Sequence, residues 1–196
     1  MATYQSIRYN VDYGGKAGIL MPLLTFTSDG SDATADFTSK IDSTYDEYLF
    51  IINNLHGETN DTNLQWQVNA VGGSGFNETV TSQFFYAWHD EADSATEFTT
   101  ATYGDQAQGT DFIRINNGCT NNSDDNQGAW LRLYNPSSTT FVKHFLSCGS
   151  TSEETPAVMH SFAGGYINTT SALDEVQFRF SSGEIQGGTI QMFGVH

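Results

Sequence analysis

Two short runs of carboxylates lie in turn-forming surroundings, Asp29-Gly30-Ser31-Asp32 and Asp124-Asp125-Asn126. Hard oxygen donors in loops are the ligands calcium takes. Neither run places a glutamate where the twelve-residue calcium loop needs its last ligand, so both read as solvated turn acids, and calcium binding is left open. The five histidines are His56, His89, His144, His160 and His196. None stands at metal-ligand spacing from a cysteine or another histidine, and no His-Glu-x-x-His pattern occurs. Serine and threonine abound, yet the chain has no Gly-x-Ser-x-Gly elbow, and Gly72-Gly73-Ser74-Gly75 lacks the lysine of a phosphate-binding loop. Glu153-Glu154 are adjacent, which in a strand points them to opposite faces, whereas glycoside cleavage needs two carboxyl groups facing each other. The residues therefore assign no catalytic, metal or cofactor site, and the expectation is a protein that is not an enzyme and needs no cofactor.

The aromatic residues point elsewhere. Fourteen Phe, nine Tyr and three Trp exceed what one small core requires. Some must lie at an interface, where rigid rings supply contact area at low entropy cost. Trp66 and Trp130 occupy alternating segments and are expected in the core. Trp88, beside His89 and Asp90 at a segment edge, is the expected exposed ring, and these three are the candidate ligand-contact residues. Near the N-terminus Tyr4, Ile7, Arg8, Tyr9 and Tyr13 are spaced almost like a strand, so residues 1–18 read as an attachment arm before a domain over 19–196.

Charge restricts the partners. Acids number 23 against 7 basic residues, a formal charge of −16. Such a surface repels phosphate backbones and anionic membranes, which argues against nucleic-acid and membrane partners. Charged residues make up only 15% of the chain, so its polar surface is built mainly from Ser, Thr, Asn, Gln and Gly, which suits sheets better than helices. Neither a secretory leader nor an apolar run long enough for a membrane helix is indicated. Asn-x-Ser/Thr triplets start at Asn60, Asn77, Asn121 and Asn168, and in so Asn- and Thr-rich a chain they carry little meaning. Cys119 and Cys148 each neighbour a glycine and are expected near strand ends, with bridging left open.

The elements that would position these groups are strands. Tyr48 to Ile52 is a continuous apolar run, and Asn63 to Val68 alternates with Leu64, Trp66 and Val68 inward. Phe84 to Trp88 fits a strand or a short helix, while 27–43 reads as a loop. Ala129 to Tyr134, the turn Asn135-Pro136-Ser137-Ser138 and Phe141 to Leu146 form the best hairpin. Val158 to Ile167 is a strand broken at Gly164-Gly165. Val176 to Phe180 alternates, turns at Gly183 and returns through Thr189 to Val195. Pro22 keeps its segment out of a central ladder position. The pattern predicts an all-β, antiparallel β-sandwich of jelly-roll type with eight to ten strands.

The block from Asn117-Gly118 through Tyr134, with Gly128-Ala129-Trp130-Leu131-Arg132-Leu133-Tyr134-Asn135-Pro136, and the ending Ile167–Ala172, Val176–Phe180 and Gly187–Val195 resemble jelly-roll modules of tailed-bacteriophage virion proteins. Residues 45–68 look like the paired early strands of those modules. The likeness covers roughly residues 45–195 and rests on strands and turns, with no catalytic motif. It implies a structural protein of the virion that decorates or cements the capsid through its N-terminal segment, forms a homotrimer and contacts other capsid or tail proteins. A receptor- or carbohydrate-binding tail-fibre or adaptor module, meeting a host-surface glycan, is the alternative, and a jelly-roll hydrolase ranks below both. The acidic middle segment and the lack of a stalk depart from tail fibres and favour decoration.

Overall fold

A computed structural model describes residues 20–195. The arm residues Tyr4, Ile7, Arg8, Tyr9 and Tyr13 lie outside the described residues, as does His196. Thirteen strands are formed among the described residues: β1 (Leu20–Thr27), β2 (Ala35–Phe37), β3 (Glu47–Gly57), β4 (Leu64–Ala70), β5 (Val80–Asp90), β6 (Thr96–Thr100), β7 (Gln106–Gly109), β8 (Ile113–Arg114), β9 (Gln127–Tyr134), β10 (Lys143–Ser152), β11 (Ala157–Ile167), β12 (Leu173–Phe180) and β13 (Ile185–Val195). A single 3-10 turn, Thr102–Gly104, is the one helical element among them.

The strands make two antiparallel sheets. The large one runs β1-β13-β3-β9-β10-β11-β5-β6, with β7 also on β5, and the small one runs β2-β12-β4-β8. Two sheets that each bury one face need alternation, which β10 shows throughout and β11, β12 and β13 over most of their length. Leu64, Trp66 and Val68 of β4 and Phe178 and Phe180 of β12 are buried as expected. Facing them from the large sheet are Tyr48, Phe50 and Ile52 of β3, Leu131 and Leu133 of β9, Phe145 of β10, and Ile190 and Met192 of β13. Phe37 of β2 packs edge-on against Phe50 at 5.3 Å and Phe178 at 5.9 Å between ring centres, tying the two layers at one end. Edge-to-face pairs add about 0.5–1.5 kcal/mol each beyond the area they bury.

Several expectations are corrected. The strand count exceeds eight to ten because β2, β6, β7 and β8 are too short to show a period of two. One of them, β2, lies inside the expected loop 27–43. Phe84–Trp88, whose sequence leaves strand and short helix both open, is strand, and Val158–Ile167 passes through Gly164-Gly165 unbroken, against the expected break. Gly165 has a packing reason there: a Cβ on it would overlap the backbone of Thr81 and Ser82 on β5. Pro22 does lie on an edge strand, and β9–β10 is the expected hairpin, in register Phe145↔Leu133 to Thr151↔Gln127.

Candidate functional site

The outward face of the large sheet is the feature that stands apart from the rest of the molecule. Register places Thr25, Gln191, Ile51, Trp130, Cys148, Phe162, Phe85 and Thr100 in one row across eight adjacent strands. A neighbouring row holds Phe193, Leu49, Arg132, Leu146, Gly164 and Gln83. His160, Ala87 and Phe98 follow on the other side. Leu146 is 48% exposed, Phe98 72% and Trp130 36%.

Aromatic rings continue this surface across strands. Phe85 and His160 both stack on Phe162, at 5.1 Å and 5.2 Å between ring centres, and Phe98 meets Phe85 edge-on at 5.8 Å. An open groove of about 640 Å³ runs beside them, lined by Leu49, Ile51, Trp130, Arg132, Cys148 and His160. Cross-strand ring and aliphatic pairs of this kind hold a face rigid, which suits contact with another surface.

The electrostatics of this face differ from the chain as a whole. Among the outward positions of these strands Glu47 is the sole carboxylate, and its Oε1 accepts a 2.9 Å bond from Arg132 Nη1. Three histidines, His89, His144 and His160, share the face. The acids that give the chain its charge therefore lie elsewhere.

Cys148 and His160 are the one nucleophile–base pair in the groove, with Sγ and Nε2 3.4 Å apart. Burial pushes the Cys148 thiol up from its ordinary value, so the thiolate that would attack an electrophile is disfavoured. Both cysteines are free thiols. Cys148 sits in the middle of β10 and Cys119 in a bridged loop, which corrects their expected place at strand ends.

The expected ligand-contact residues do not converge. Trp88 is half-buried on the inward side of β5, its indole N–H donating to Glu153 Oε2, so it is not the freely exposed ring expected. His89, one residue on, faces out and lies 3.3 Å from Asp93. Asp90 closes a turn, accepting from Ser94 N at 2.9 Å and Ala95 N at 3.0 Å. The bond from the Ser94 hydroxyl is the main cause holding the Asp90 carboxyl below its ordinary value.

Trp130 is the converse correction. The segment alternates as expected, but Leu131 and Leu133 take the inward phase and turn Trp130 outward. The signal was available, since Trp130, Arg132 and Tyr134 form the more polar of the two alternating sets. The loop acids close their own turns: Asp29 Oδ1 accepts from Ser31 N at 3.0 Å, and Asp32 Oδ2 from Asp29 N at 2.9 Å. Among the described residues no three His, Cys, Asp or Glu side chains are grouped to hold a metal ion.

No family model matches this chain, and no curated protein is significantly similar to it.

Proposed function

We propose that this chain is a non-enzymatic structural subunit of a tailed-bacteriophage particle, a jelly-roll module that assembles with copies of itself through the outward face of its large sheet. The observation that carries the reading is the acid-poor, aromatic surface of that face in a chain of charge −16. Strongly acidic copies repel one another wherever their carboxylates meet. They can approach through the face where the sole carboxylate is already paired with Arg132. A basic partner, by contrast, gains nothing there and would dock on the acidic remainder.

The broad face divides into two adjoining halves, one around Ile51, Trp130 and Leu146, the other around Phe162, Phe85 and Phe98. In a cyclic homotrimer one half would meet the other half on the next copy, a closed heterologous contact. The likeness of the β9 segment and of β12–β13 to virion modules supports a capsid-decorating place, with residues 1–18 as the attachment segment.

Analytical ultracentrifugation of the intact chain tests the assembly. A trimer that Leu146→Asp and Trp130→Ser convert to monomer is expected, and a monomer at every concentration overturns it. Mass spectrometry and electron microscopy of purified particles test the location. The protein should be on the particle surface, and its confinement to the particle-free fraction would sink the assignment.

A further inference from the structure

On the opposite side of the molecule the outward face of the small sheet holds a second constellation. Register sets Arg114 of β8 beside Gln65 of β4, and Gln65 beside Arg179 of β12. Two of the chain's seven basic residues thus stand one strand apart on either side of an amide. Both guanidiniums are held over rings from the neighbouring loops. Arg179 Cζ lies 3.6 Å from the centre of Phe112, and Arg114 Cζ lies 5.0 Å from that of Tyr103. A ring face steadies a cation without using its N–H groups, so those not bonded elsewhere can meet an acceptor along the guanidinium edge.

The surroundings form a pocket of about 540 Å³, within the range of small-molecule sites. Asp105, Asp111 and Gln106 line it together with the two arginines and Gln65. Among the described residues neither arginine makes an ion pair, although acids outnumber bases 23 to 7. Arg114 Nη1 donates to the neutral Asn117 Oδ1, and the buried Nε of Arg179 has no partner among the described residues. The buried Oε1 of Gln106 in the same wall is likewise unpartnered. Desolvating a cation without a carboxylate is costly, and a buried donor or acceptor without a partner adds to that cost.

We infer that this pocket binds a carboxylate-bearing sugar, its carboxylate held by Arg114 and Arg179 and its hydroxyls by Gln65, Gln106, Asp105 and Asp111. Guanidinium edges match a planar carboxylate through paired N–H donors. The two aspartates decide between a sugar acid and a bare anion: their carboxylates repel phosphate or acetate, whereas sugar hydroxyls donate to them. Asp105 is held in place, its Oδ1 accepting from Phe84 N at 2.6 Å, and Asp111 is anchored through its carbonyl by Gln106 at 2.7 Å and Gln67 at 3.1 Å. The site is distinct from the assembly face, and it is also distinct from Trp88, His89 and Asp90.

The test is binding of the full chain to an array of uronate- and sialate-containing oligosaccharides, each paired with its carboxyl-reduced counterpart. At least one acidic member should bind, with affinity reduced about tenfold or more by carboxyl reduction, Arg179→Gln or Arg114→Gln, as expected for loss of a charge-assisted pair. Arg179→Lys keeps the charge and loses the planar fork, and it should also weaken binding. Phe141→Ser, an exposed position outside both the pocket and the assembly face, should bind as the parent does. Failure of every acidic member to bind, equal binding of reduced counterparts, or full binding by folded Arg179→Lys and Arg114→Gln overturns the inference. Displacement of the bound glycan by equimolar acetate or inorganic phosphate would overturn the sugar and leave a simple anion.

Discussion

Trp66 of the small sheet and Phe145 of the large one meet edge to face at 4.9 Å, with their planes at 81°. Both are fully buried, so this contact joins the two layers near the middle of the sandwich. The indole N–H of Trp66 has no hydrogen-bond partner among the described residues. Truncating a buried aromatic costs about 3–5 kcal/mol, so Phe145→Ala should lower stability by that amount. Trp66→Phe loses ring volume but also removes an orphaned donor worth about 1–3 kcal/mol. The two terms oppose, and urea denaturation should show Trp66→Phe costing well under half of Phe145→Ala. A larger loss in Trp66→Phe would mean that the indole N–H is satisfied after all.

Lys143 is fully buried on the inward side of β10, where Nζ donates to the carbonyls of Thr169 at 3.0 Å and Ser171 at 2.5 Å. The ammonium serves as a clasp for the turn between β11 and β12. Lys143→Met keeps the apolar stem and strands both carbonyls, a loss of about 1–3 kcal/mol in urea unfolding. Burial pulls the lysine below its ordinary value, partly offset by Glu78. With the folded value depressed, the folded state releases the proton more readily than the unfolded chain. Stability therefore rises with pH from the folded value up to the ordinary lysine range. That gain should appear in the parent and be missing from Lys143→Met when unfolding is followed between pH 8 and pH 10.

What could be read from the chain and what could not divides along sequence distance. Leu64, Trp66 and Val68 repeat every second residue, so the burial of that face was visible locally. Alternation also has two phases, and for Trp130 the neighbours Leu131 and Leu133 decided which phase faced in. The row Ile51, Trp130, Cys148, Phe162, Phe85 is invisible in any local pattern because each member comes from a different strand. The same holds for Arg114, Gln65 and Arg179, which only strand register brings together. Trp88, His89 and Asp90 show the opposite error. Adjacency in the chain suggested one site, but a strand sends neighbouring side chains to opposite faces.

Glu153 receives the Trp88 indole N–H at the loop between β10 and β11. Burial is the main cause raising its carboxyl above the ordinary glutamate value, with the Trp88 bond opposing. For an acid raised in the folded state, stability is fully present below the unfolded value and is lost as pH rises through the folded one. Glu153→Gln keeps an acceptor for Trp88 and removes the charge. It should match or exceed the parent in thermal stability at pH 7 and lose its advantage as pH falls below the ordinary glutamate range. A variant less stable than the parent at pH 7 would show that the charged form is the favoured partner of Trp88.

The two thiols offer a chemical readout of the assembly face. Cys119 is 2% exposed, and burial pushes its thiol up to about 11. Iodoacetamide should leave it unmodified until the chain is unfolded. Cys148 is half-buried in the groove between Trp130 and Phe162, and its raised thiol should react slowly in the native chain near neutral pH. If copies cover that groove, its alkylation rate must fall further as protein concentration increases. In Leu146→Asp, where the copies part, the rate should become independent of concentration. Mass spectrometry of the labelled peptides distinguishes the two cysteines. A concentration-independent rate in the parent chain would show that Cys148 is not covered by a second copy, and the assembly would have to run through another face.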